Sequence, residues 1–237
     1  MKLPLLFAAT LLTTLANTGC ATEPDATSLP ATHETTAPAA VVAPSTVHGS
    51  PTHAVAAVES LKTLASLVTP RNALGFASVS EVASASLAEP LPMFMVRLDE
   101  LQAYRAGDDP LPLLRDEGSV FYPVMVGGDV RSSVLVRNVN GEWKATQFGR
   151  SELAKLSHDG RAHVAASRGI ATAGVSLVEI PAISQRMLEH EESGVPMLTA
   201  LLDVPGTDLR AGSTMRAADV LAKLQWVAAR TDRMTPN

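Results

Sequence analysis

Apolar positions recur at three- and four-residue intervals in some stretches of the chain and at two-residue intervals in others, and this division predicts its helices and strands. Val58, Leu61, Leu64, Ala65 and Val68 form a first helical stripe, with Thr52 as its candidate N-cap and Pro70 just past its end. Ser78-Val79-Ser80-Glu81 fits a capping box for a short second helix, which must stop before Pro90. Residues 93–98 form an apolar strand candidate, a helical turn follows around Leu101 and Tyr104, and Asp108-Asp109-Pro110 signals a turn.

Residues 120–148 carry three strand-like runs, separated by Gly127-Gly128 and by Asn138-Val139-Asn140-Gly141, and read as an antiparallel meander. In the middle run Val130, Ser132, Val134 and Val136 share one face and Arg131, Ser133, Leu135 and Arg137 the other, which predicts one buried and one mostly wet side. Pro123 lacks an N–H and predicts an edge position or a bulge. Residues 151–168 read as a helix with Leu153, Leu156, His163, Val164 and Ser167 near one face and Gly169 as its stop, although Gly160 weakens it. Strand candidates follow at 175–180 and 197–202, and Ser213 or Thr214 is expected to cap a last helix with Ala217, Val220, Leu221, Leu224, Val227 and Ala228 on its apolar side. The expected fold is α+β, an antiparallel sheet with its meander near 119–148 and helices packed on one face.

Composition narrows the class. The 237 residues are 46% hydrophobic and 18% charged with a net charge of −5, too apolar for disorder throughout and without the basic cluster that would meet nucleic-acid phosphates. Residues 54–237 contain no apolar run of the roughly 18 residues that a spanning helix needs. One cysteine excludes an intramolecular disulfide framework and any multi-cysteine metal cluster.

The beginning of the chain is expected to be a targeting segment, in which Lys2 precedes an apolar stretch at 3–16 and then Leu15-Ala16-Asn17-Thr18-Gly19-Cys20. The single cysteine, directly behind a small glycine, resembles a bacterial lipoprotein lipobox, with Asn17 where Leu is common. The resemblance implies removal of 1–19, lipidation of Cys20 and anchoring without a transmembrane helix; Ala21 rather than Asp after the cysteine resembles the rule for outer-membrane delivery. The alternative is cleavage after Ala21, which leaves a secreted or periplasmic soluble protein. Residues 21–53 hold 7 Ala, 7 Thr, 5 Pro and 3 Ser without Lys, Arg or an aromatic ring, so 20–53 is expected to be a disordered tether in which His33, His48 and His53 are solvated. Residues 54–237 then form one α+β domain, or two subdomains at 54–149 and 150–237.

Candidate chemistry is sparse. His158 and His163 are five apart and do not converge as an i, i+4 pair would, and Glu189-His190-Glu191-Glu192 reads as a solvated loop because Gly194 and Pro196 follow; all three histidines are expected at the surface. Met93 and Met95 suit strand packing better than copper ligation. Ser132-Ser133 lies inside a strand, Gly127-Gly128 has no helix or Lys after it, and the pairs Asp99-Glu100, Asp108-Asp109 and Asp116-Glu117 are neighbours in turns. No catalytic residue, metal ligand or cofactor is therefore assigned, and Cys20 is the one assigned site, for lipidation. The expected function is a membrane-anchored envelope lipoprotein that binds or supports an envelope protein or ligand without catalysis. The alternatives are an exported hydrolase of unfamiliar type drawing on His158, His163, His190 and nearby acids, and an inhibitor or chaperone of another exported protein that uses a sheet edge.

Overall fold

A computed structural model describes residues 51–69 and 74–231. The segment 1–19, Cys20, His33, His48 and Pro70 lie outside the described residues. Helix α1 spans Pro51–Leu67, and its proline sits where a missing backbone N–H costs nothing. Thr52 is thus inside the helix rather than capping it, and 51–53 belong to the folded part instead of the tether. The buried stripe of α1 is His53, Ala57, Ser60, Leu64 and Val68, while Val58 is 59% exposed. The stripe differs from the expected one because two polar residues are satisfied inside: the Ser60 hydroxyl donates to the Ala57 carbonyl at 2.5 Å, and His53 bonds to Tyr122. In α2, Val79–Val82, the Glu81 carboxylate accepts the Ala77 N–H at 2.7 Å, but Ser78 makes no side-chain cap. The capping box is half formed.

Strands β1 (Ser86–Leu87), β2 (Leu91–Met95), β3 (Arg115–Val126), β4 (Asp129–Val139), β5 (Glu142–Phe148), β6 (Ser176–Ile180), β7 (Gln185–Glu192), β8 (Val195–Ala200) and β9 (Thr214–Arg216) form one sheet. Its order is β5-β4-β3-β2-β6-β7-β8-β9, with β1 beside β3; every pair is antiparallel except β2 with β6, where Met93 pairs with Leu177. The meander at 120–148 is present, its first strand beginning five residues earlier. Three hairpins turn on two residues with positive φ, Gly127-Gly128, Asn140-Gly141 and Ser193-Gly194, the backbone of a type I′ turn that glycine adopts without strain.

Helices α3 (Leu98–Ala103), α4 (Ser151–Arg168) and α5 (Ala217–Thr231) complete the fold. Side-chain alternation assigns them to faces. Val120, Tyr122, Val124, Val134 and Val136 pack with Ala57 and Leu64 of α1, whereas their neighbours Phe121 and Leu135 pack with Leu153 and Val164 of α4. Likewise Val178 and Ile180 meet Leu101 of α3 and Leu221 and Leu224 of α5, while Leu177 faces α4. The α+β class with a mostly antiparallel sheet holds, but helices occupy both faces, because the strands are apolar on both sides. The expected wet side of β4 is also buried, and a bulge at Arg131, where the partner of Val124 is Ser132 and that of Met125 is Val130, turns Val130 to the α4 side.

Each four-strand run, β2 to β5 and β6 to β9, runs outward from the parallel seam and ends in a helix, α4 on one face and α5 on the other. The two halves thereby share one order of connections, four antiparallel strands and then a helix. Pro123 is not at an edge: its carbonyl accepts the Ala88 N–H, and its missing donor points at the break between β1 and β2. Thr214 lies in β9 instead of capping α5, and Gly160 does not weaken α4. A Cβ there would come within 2.8 Å of Leu201 Cδ2 and 3.0 Å of Leu188 Cδ1, so the glycine lets the helix press onto β7.

Candidate functional site

The α4 side of the sheet carries polar residues at the end where β3 begins and β4 finishes. Met95 of β2 lies opposite Glu179 of β6, which lies opposite Arg186 of β7, and Ser119 of β3 lies opposite Arg137 of β4. Ser119 points to the same side as Phe121, and Met95 to the same side as Met93, both in the core under α4. Met95, Glu179 and Arg186 therefore form one row that meets Arg115 on β3, while Ser119 and Arg137 lie level with Met93, two residues along the strands from it.

Arg150 joins this row from the start of α4. Gly149 donates to the Ser133 carbonyl at 3.1 Å, and the Ser133 hydroxyl donates to the Gly149 carbonyl, which fixes the chain against β4. Arg150 then takes a left-handed conformation, φ 56°, and its guanidinium donates to the Glu179 carboxylate. Arg186 Nε donates to the same oxygen at 3.0 Å. Glu179 is 8% exposed, so burial pushes its carboxyl upward, but the hydrogen bonds and charges of Arg150 and Arg186 outweigh this and hold it below the usual range.

Beyond its first turn α4 crosses to the other end of the sheet. Arg161, 3% exposed, donates through Nη1 to the Glu89 and Pro90 carbonyls at 2.9 and 3.0 Å, and Arg168 pairs with Glu192 at 3.3 Å. The end it leaves has half-buried Met95, Arg137 and Arg186 beside exposed Gln147 and Lys144. Lys144 is paired with Glu142 at 2.7 Å and Arg115 with Glu100. Two arginines, Arg150 and Arg186, thus meet one buried carboxylate. Ser119 Oγ and Arg137 Nε are buried with no hydrogen-bond partner.

The expected surface histidines divide. His163 is exposed and His158 half-buried, but His190 is fully buried in β7, because 189–192 is a strand and not a loop. Strand alternation turns Glu189 and Glu191 to one face and His190 and Glu192 to the other. His190 Nε2 lies 2.9 Å from Glu192 Oε1, a contact that, with Arg168, lowers the Glu192 pKa. Burial, reinforced by Glu191, raises Glu189 to about 7. His53 is a further correction: it is 2% exposed, bonds through Nδ1 to the Tyr122 hydroxyl and meets the Trp143 ring edge-on at 5.3 Å. Burial lowers its pKa and raises that of Tyr122 to about 12.

The remaining candidates take local roles. Asp108, Asp109 and Asp116 accept backbone N–H groups of Arg105, Leu111 and Gly118, Asp99 pairs with Arg97, and Met93 packs with Leu91 and Phe121. Among the described residues no group of three or more His, Cys, Asp and Glu could hold a metal ion. A groove of about 370 Å³ between α1 and β5 is lined by Thr52, Val55, Glu59, Trp143 and Lys144. Sequence reasoning missed the cluster of Arg150, Glu179 and Arg186, which leaves no local trace because Arg150 reaches Glu179 from a separate element, α4; only Arg137 was legible, on the strand face expected to be wet. Compared with protein-family models, curated proteins and solved structures, the chain matches none.

Proposed function

We propose that the chain is a non-enzymatic binding module of a bacterial cell envelope, held to the membrane by a lipid on Cys20 and docking an envelope protein or ligand on the uncovered end of the α4-side face. The observation that carries this reading is the pair of partly buried cations, Arg150 and Arg186, on the single carboxylate of Glu179, with Arg137, unpaired among the described residues, on the same sheet face. The anchor rests on Gly19-Cys20 and the apolar stretch before it, and places the module in the outer membrane or, without lipid, in the soluble exported fraction. The hydrolase reading, which draws on His158, His163 and His190, finds little support, because His190 is engaged inside the core by Glu192 while His163 is exposed on α4. The inhibitor or chaperone reading uses the outer edge of β5. That edge carries a bulge at Thr146 and an ion-paired Lys144, devices that guard against strand addition, so it ranks second.

The test has two arms in cells making the full chain. Cys20→Ser should move the protein from the membrane fraction to the soluble exported fraction, and unchanged retention would refute the anchor. A photo-crosslinking residue at Gln147 or Met95 should give an adduct that one at Val58, on the outer side of α1, does not. Equal adducts at all three positions, or none, would refute the binding face.

A further inference from the structure

The uncovered end of the α4-side face offers donors without acceptors. Ser119 and Arg137 are directly opposed across β3 and β4, a register that puts their Cβ atoms roughly 5 Å apart on one face. Ser119 is 2% exposed and its hydroxyl has no partner; Arg137 is half-buried, its Nε has no partner, and it forms no ion pair among the described residues. Buried polar groups are normally satisfied, so two orphans facing one another across a ladder mark an acceptor that this chain does not supply. The guanidinium of Arg137, which no carboxylate among the described residues pairs with, says what that acceptor is. The nearby cations Arg115 and Lys144 are matched by Glu100 and Glu142.

We propose that Ser119 and Arg137 form a binding site for a compact oxyanion, a carboxylate or phosphate group. The oxyanion accepts from the Ser119 hydroxyl and from the planar guanidinium of Arg137, whose parallel N–H groups match two oxygens. The site rests on the reading of this face as the binding surface and names the chemistry of what binds there.

Isothermal titration of the full chain in detergent at pH 7 and constant ionic strength tests it with inorganic phosphate, acetate and chloride. Saturable one-site binding of phosphate or acetate, and none of chloride, is expected. The stronger of the two identifies the head group. Arg137→Gln should weaken binding at least tenfold and Ser119→Ala several-fold, while Arg137→Lys keeps part of the affinity and Lys62→Gln, on the exposed side of α1, changes nothing. Melting of Arg137→Gln should stay within about 2 °C of the parent, because the side chain has no partner to lose. Absence of saturable binding by either oxyanion, or binding equal in the parent and both Arg137 variants, overturns the site. Selective crosslinking at Gln147 or Met95 in cells with no oxyanion binding in vitro would leave the binding face standing and remove only this proposal.

Discussion

Replacing Glu179 by Gln tests the electrostatics of the sheet face most directly, since it preserves shape and removes only the charge. The carboxylate is 8% exposed and accepts from both Arg150 and Arg186. A hydrogen bond to a charged group contributes about 1.5–3 kcal/mol, against about 1 for a neutral one, so losing the charge at two such bonds costs about 2 kcal/mol. Leaving two guanidinium groups without a counter-ion adds to this, with breakage of a fully buried pair, about 3–5 kcal/mol, as the ceiling. Arg186 is one-third exposed, so the lower part of that range applies, about 2–3 kcal/mol in total. At roughly 2–4 °C per kcal/mol for a domain of this size, melting should fall by about 5–10 °C. The pH dependence has a fixed sign. Glu179 has a folded pKa below its ordinary value of 4.5, so its stabilisation is complete above that value and is lost as the pH falls through the folded pKa. The difference in melting temperature between the parent and Glu179→Gln, followed by circular dichroism, should be constant from pH 7 to about 5 and narrow below about 4.5. A variant that melts within 1 °C of the parent at pH 7, or a gap that widens in acid, would refute the argument.

Gly75 has φ +97° and an ideal Cβ there would lie 1.8 Å from the Arg131 carbonyl oxygen, so Gly75→Ala should cost about 3 kcal/mol or more through strain and backbone displacement, read by urea unfolding. Leu221 and Leu224 are both fully buried against Val178 and Ile180, and either changed to Asp should unfold the domain, seen as loss of cooperative melting, while His163→Ala on the exposed side of α4 should melt like the parent. His190→Ala should destabilise by about 2–3 kcal/mol, because it empties a fully buried site and removes the Glu192 contact; a neutral result in thermal melting would contradict the packing of β7 under α4.

Local signals carried the elements well and the faces poorly. Gly127-Gly128 and Asn140-Gly141 announce their hairpins because two positive φ values in sequence leave few residue choices, and α4 spans 151–168 and stops at Gly169 as its sequence implies. Ser193-Gly194 uses the same turn, yet the acidic run before it resembles a loop until β6 and β8 are seen to flank β7 and bury His190. Buried polar residues hid the packing faces of both long helices. His53 and Ser60 in α1, and Ser157 and Arg161 in α4, count as outward in a hydrophobicity pattern but face inward, because Tyr122, the Glu89 and Pro90 carbonyls and the helix's own carbonyls satisfy them. The candidate site was illegible for a different reason. Glu179 and Arg186 meet through the β6–β7 register, but Arg150 reaches Glu179 only because α4 packs across the sheet, which no short-range pattern encodes.

That parallel seam also sets the order in which the chain can assemble. Each hairpin brings together residues a few positions apart and closes on its own, whereas Met93 reaches Leu177 only after β3, β4, β5 and α4 have been threaded between them. This ladder of three residue pairs closes the longest loop within the sheet. Until it forms, Leu177, Met93 and the lower side of α4 stay wet, and Arg150 has no carboxylate to meet. The long-range step that completes the hydrophobic core is then the same step that brings Glu179 to Arg150, so a kinetic intermediate with both meanders formed would hold the Ser119–Arg137 pair of the β3–β4 hairpin without the Arg150–Glu179 ion pair.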